Sequence, residues 1–123
     1  MIPLNQRELL RKLQEFSPFI LERNLAVSGD PDTRIFFLKG WVIFIDHSIL
    51  EFAEKYSTAG HRYRFHYMDS QNRLMMRWDN VPHHPEISTF PHHRHTPRTV
   101  ELSQEMSLID ALAYIAANLL PQK

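Results

Sequence analysis

Apolar positions recur at two different periods along this chain, and the change of period divides it into elements. Leu9, Leu10, Leu13 and Phe16 lie on one side of a helix, the spacing expected of an amphipathic segment. Asn5 and Glu8 make a capping pair ahead of them, and Ser17-Pro18 ends the run, because the residue before proline is pushed out of the helical region. The pattern predicts a helix over residues 6–16. From Phe19 to Val27 the alternation shortens to every second residue, with Phe19, Leu21, Leu25 and Val27 on one side, Glu22, Asn24 and Ala26 on the other, and Arg23 breaking the pattern. A strand is favoured there over a second short helix, and Ser28-Gly29-Asp30-Pro31-Asp32 turns the chain.

Residues 34–45 are rich in β-branched and aromatic side chains and read as a strand, followed after Asp46-His47-Ser48 by another over 49–56. With His47 and Ser48 as the loop, Ile45 would face Leu50 and Ile43 would face Phe52, building one apolar face. Residues 61–69 alternate cleanly, with Tyr63, Phe65 and Tyr67 opposite Arg62, Arg64 and His66. Residues 73–79 form the next strand. The register that keeps the faces unmixed pairs Phe65 with Trp78, Tyr67 with Met76, His66 with Arg77 and Arg64 with Asp79, since a slip of one residue would set Arg77 against Phe65.

Residues 80–106 show no period and hold four of the eight prolines. So long an irregular segment in a compact domain is uncommon and marks function or disorder; a short strand near 99–102 is the one element it suggests. Ser107 and Asp110 cap a closing helix over 107–120, striped by Leu108, Leu112, Ile115 and Leu119 and ended by Pro121. The sum is a single α+β domain over residues 1–123. It is an antiparallel meander of four or five strands, flanked by an N-terminal and a C-terminal helix, with a long His/Pro-rich loop.

Composition narrows the function classes. Fourteen basic residues balance fourteen acidic ones, so no bulk field draws the chain to nucleic acid or membrane, and any such affinity must be local. Two tryptophans, four tyrosines and eight phenylalanines argue against a disordered tail. The absence of cysteine excludes a disulfide scaffold, a thiol nucleophile and a cysteine-ligated zinc site, and suits a cytoplasmic protein. The first residues lack the cationic and apolar blocks of a signal peptide, and no apolar run has the length of a membrane span. An exposed sheet edge or the apolar C-terminal helix would support a homodimer.

The chemistry concentrates in one place. Five of the eight histidines fall between His83 and His95, and imidazole is the side chain that exchanges protons near neutral pH and the commonest metal ligand. The strand face just upstream carries Arg62, Arg64, His66, Arg77 and Asp79, so His83 and His84 lie near Arg77. Guanidiniums beside imidazoles and a carboxylate suit a phosphodiester: arginine forks match phosphate oxygens, one histidine takes the 2′-hydroxyl proton of RNA, and another protonates the leaving oxygen. Such cleavage requires no metal or other cofactor. The plainer reading is a solvated strand face with an Arg64–Asp79 cross-strand ion pair, His61 as a strand-end surface residue, and Tyr63, Tyr67 and Phe90 as packing residues. A third reading places zinc among His83, Glu86, His92 and His95, although adjacent histidines on an extended backbone point to opposite sides.

Three segments carry a resemblance. Arg62-Tyr63-Arg64-Phe65-His66-Tyr67, then Arg77-Trp78-Asp79-Asn80-Val81-Pro82-His83-His84-Pro85-Glu86, then Thr89-Phe90-Pro91-His92-His93-Arg94-His95, together resemble the signature of the TumE family, toxin-like proteins of bacterial and archaeal toxin–antitoxin pairs. Phe44-Ile45-Asp46-His47-Ser48-Ile49-Leu50-Glu51 resembles the family's second hairpin, with His47 where glycine is expected. The resemblance covers residues 19–95 and, weakly, the final helix. It implies a growth-inhibiting toxin neutralised by a cognate antitoxin, usually a helix-turn-helix protein. Class analogy with other toxins points to an endoribonuclease. The positions carried over are Arg77, Asp79, His83, His84, His92, His93 and His95. In that reading His83, His84, His92, His93, Arg77 and Asp79 form the catalytic set, and Arg62, Arg64, His66, Arg94 and His95 contact RNA. The alternative is a non-catalytic module whose histidine-rich loop binds zinc or a partner.

Overall fold

The computed structural model describes residues 6–30 and 32–119. Helix α1 spans Gln6–Glu15, and the turn at Ser17–Phe19, with Pro18 in its first positions, feeds directly into β1, Ile20–Asp30. Strands β2 (Ile35–Phe44), β3 (Ile49–Ser57), β4 (Gly60–Met68), β5 (Leu74–Asp79), β6 (His93–His95) and β7 (Val100–Leu102) follow, and α2, Leu108–Leu119, closes the order. Each strand pairs antiparallel with its sequence neighbour, giving an unbroken meander in the order β1 to β7.

The expected four or five strands are therefore seven among the described residues. The two additional strands come from the supposedly irregular segment: β7 falls at the place expected, whereas β6 was not foreseen. His93-Arg94-His95 has no apolar alternation, and it is extended because β5 pairs with one edge and β7 with the other. The expected Asn5 cap and the Pro121 stop lie outside the described residues.

Both helices cover one face of the sheet. Leu9 and Leu13 of α1 and Leu108, Ala111, Leu112 and Ile115 of α2 share one buried cluster with Val42, Phe44, Leu50, Phe52, Phe65 and Trp78. Tyr63 and Tyr67 are buried there too, while Phe90 is 45% exposed and does not pack as expected. At the head of α2 the reciprocal cap forms as read: the Asp110 amide donates to Ser107 Oγ (3.2 Å) and the Ser107 amide to Asp110 Oδ2 (3.0 Å).

The β4–β5 register agrees pair for pair with the expectation. The β2–β3 register does not. Val42 faces Leu50 and Gly40 faces Phe52, and Ile45 sits in the turn, 48% exposed. The turn is longer than assumed because Phe44 N donates to Ser48 O (2.9 Å), closing a loop of residues 45–48. Ser48 is drawn inward, its hydroxyl accepting a bond from Tyr67 (2.8 Å), and its amide donates to Asp46 Oδ1 (3.0 Å). His47 adopts φ 67°, the left-handed region that glycine enters without penalty. This is the physical reason a glycine would be expected at that position.

Candidate functional site

The face of the sheet away from the helices is built by strict alternation. Burying Tyr63, Phe65 and Tyr67 of β4 sends Arg62, Arg64 and His66 to the other side. Strand pairing then lines up two rows across three strands, Arg64–Asp79–His93 and His66–Arg77–His95.

Asp79 is the hub of these rows. Its Oδ1 lies 2.9 Å from His93 Nε2 and accepts the Val81 amide at 3.0 Å. Its Oδ2 lies 3.4 Å from Arg77 Nε and 3.5 Å from His95 Nε2. The Arg77 contact is an ion pair without hydrogen-bond alignment. The Asp79 and His93 side chains are only 6% and 3% exposed. The loop after β5 folds over them and brings in His84, whose ring centre stands 5.0 Å from that of His93 and 5.6 Å from that of His95. His93 and His95 are 4.8 Å apart, and all three pairs meet near right angles. One nitrogen from each ring lies within 4.8 Å of the other two. Among the described residues, His84, His93 and His95 are thus the histidines placed to share a metal ion, rather than the His83, Glu86, His92 and His95 set considered from sequence.

Electrostatics lower the pKa of two imidazoles on this face, His66 and His95. Burial, aided by the guanidiniums of Arg64 and Arg77, holds His66 below the ordinary histidine pKa, against the pull of Glu51. Burial and Arg77 likewise lower His95, with Asp79 opposing. His66 Nδ1 is buried without a hydrogen-bond partner. No Arg64–Asp79 ion pair forms, because the carboxylate turns toward Arg77, His93 and His95.

Not every expected site residue joins. His83 is exposed on the loop. His92 lies on the helix side, its Nδ1 2.8 Å from the Tyr63 hydroxyl and its ring parallel to that tyrosine. Arg94 also faces the helix side, donating from Nε to Glu101 (3.0 Å). Arg62 leans to the Asn80 carbonyl (3.2 Å). The division follows from extended backbone: His93 and His95 point one way, His92 and Arg94 the other.

A second polar cluster lies on the helix side and escaped sequence reading. His61 is clasped between Glu54 Oε1 (Nε2, 2.9 Å) and Glu105 Oε2 (Nδ1, 2.7 Å), and Tyr56 donates to Glu54 Oε1 at 2.9 Å. With its side chain 4% exposed, His61 is not a surface residue. Burial lowers its pKa, but the two carboxylates more than offset this and the net direction is up. Burial and Glu54 raise the Tyr56 hydroxyl far above its usual range. The available signal was Glu54 itself, a carboxylate in phase with Leu50 and Phe52 on the apolar side of its strand.

Comparison with known proteins places the chain clearly. The family model described as Toxin TumE matches residues 7–119. No curated protein and no solved structure matches the chain significantly. Among the described residues no helix is long and apolar enough to cross a membrane.

Proposed function

This chain belongs to the toxin TumE family, and on that premise we propose that it is the growth-inhibiting half of a toxin–antitoxin pair and cleaves RNA on the open face of its sheet. A cognate antitoxin, of helix-turn-helix type in this reading, neutralises it in the cytoplasm. The observation that carries the chemistry is the gathering of His93, His95 and Arg77 around the single carboxylate Asp79, with His84 laid against both imidazoles.

The roles follow from exposure and contacts. Arg64 is exposed and Arg77 partly so, diagonal neighbours in the two adjacent rows, and they bracket a phosphate; charge building on its oxygens during in-line attack meets their N–H donors. His84 and His95 are the cluster's accessible rings, 29% and 17% exposed. One takes the 2′-hydroxyl proton as that oxygen attacks phosphorus, and the other gives a proton to the departing 5′-oxygen, leaving a cyclic phosphate and a free hydroxyl. His93, buried against Asp79, is a positioning residue. No step requires a metal.

The test is cleavage of RNA by purified protein in EDTA, together with growth arrest on induction. His84→Ala and His95→Ala each abolish cleavage and relieve arrest, while His83→Ala changes neither. Retention of full toxicity by the His84→Ala/His95→Ala double variant would refute the assignment.

A further inference from the structure

We infer that His84, His93 and His95, with Asp79, form a binding site for a divalent transition-metal cation of the zinc class, and that its occupancy silences the open face. The second half rests on the metal-free reading given above; the first does not.

The donor set fits by type and by reach. Imidazole nitrogens and a carboxylate oxygen suit zinc, and zinc-class cations bind them far better than magnesium or calcium, which favour all-oxygen shells. Zinc bonds of about 2.0–2.1 Å set neighbouring tetrahedral donors about 3.3 Å apart. Asp79 Oδ1 to His93 Nε2 is 2.9 Å and Asp79 Oδ2 to His95 Nε2 is 3.5 Å, on either side of that edge length. The nitrogens offered by the three rings all lie within 4.8 Å of one another, and small rotations of His84, the ring carried on the loop, draw them closer.

The tautomers are set in advance. His93 Nδ1 lies 3.0 Å from the Pro91 carbonyl, which can only accept, so Nδ1 carries a proton and Nε2 is left facing Asp79 Oδ1 at 2.9 Å. A proton or a cation between those two atoms satisfies both. His84 Nδ1 lies 3.1 Å from Glu86 Oε1, which in the same way leaves His84 Nε2 free as a donor. A carbonyl or carboxylate behind the ligating ring is the usual outer support of a metal-bound histidine. Exposure grades from 3% at His93 to 29% at His84, so the site has a closed floor and an open side through which a cation enters. Arg77 opposes the added charge, and the Asp79 carboxylate offsets it.

A cation held there takes the lone pairs of His84 and His95, the same pairs that proton transfer uses. Binding and cleavage are then mutually exclusive.

The experiment uses the full chain freed of any affinity tag, stripped with chelator and titrated with zinc by calorimetry, with cobalt(II) as a visible probe of four-coordinate geometry. One equivalent is expected to bind. His84→Ala and His95→Ala lose that binding with unchanged circular dichroism, Glu86→Gln weakens it about tenfold through the lost outer support, and His83→Ala leaves it unchanged. Cleavage by the metal-free protein, with EDTA removed, should fall to background when one equivalent of zinc is restored. No zinc bound, or binding equally strong in His84→Ala, overturns the site while leaving the cleavage reading intact. Zinc bound but required for cleavage upholds the site and overturns the silencing. Zinc bound with no cleavage under any condition upholds the site and refutes the proposed function alone.

Discussion

Replacing His61 by phenylalanine keeps a ring that stacks on Tyr56, whose plane lies 6° from that of His61 at 4.3 Å, but removes both nitrogens. Glu54, 1% exposed, then keeps Tyr56 as its one donor. Removing one partner of a buried ion pair costs about 3–5 kcal/mol, most of it the penalty of the charge left behind. The Glu105 contact adds little, because that carboxylate is 36% exposed and screened by water. For a chain of this size that loss moves the urea midpoint down by about 2 M. The double variant His61→Phe/Glu54→Gln removes the stranded charge and should recover part of the loss. The pH dependence has a definite sign. His61 is raised in the folded state, so its contribution is fully present below the unfolded value, about 6.5, and is lost as pH rises through the higher folded value. The stability advantage of the wild type over the double variant is therefore largest in mild acid and shrinks on the alkaline side. Urea melts from pH 5.5 to 9 measure this. A His61→Phe loss below about 0.5 kcal/mol, within the range of ordinary surface substitutions, or no recovery in the double variant, would refute the reasoning.

Three further outcomes follow from other parts of the fold. Gly40→Ala drives a Cβ into the backbone carbonyl of Asn24 on β1 and should cost about 1–3 kcal/mol in chemical denaturation, with β1 amides losing hydrogen-exchange protection first. His47→Gly relieves the positive φ of the β2–β3 turn and should raise stability by about 0.5–1 kcal/mol, seen as a higher thermal midpoint. Arg64→Ala, which removes an exposed cation from the open face without touching the imidazole cluster, should weaken RNA binding and reduce the salt slope by about 0.7, as loss of one single-strand phosphate contact requires.

The alternation of Tyr63, Phe65 and Tyr67 against Arg62, Arg64 and His66 made the β4–β5 register legible in advance, because any slip would have buried Arg77 against an aromatic ring. The β2–β3 register was not legible: alternation is silent about how many residues a turn consumes, and the buried hydroxyl of Ser48 decides that through Tyr67. His61 read as a surface residue because an ionisable side chain looks the same on paper whether it is solvated or paired in the core.

By itself, the order of residues determined the two helices, the long strands, the exposed arginine face and the stretch where chemistry had to be sought. These are properties of neighbours in the chain, and side-chain period reports them directly. Only the tertiary structure decided that His93-Arg94-His95 is a strand, that His84 returns over it from the loop, and that His83, His92 and Arg94 stand elsewhere. Adjacent histidines are identical in composition, and what separates them is the face each takes once β5 and β7 hold the backbone extended.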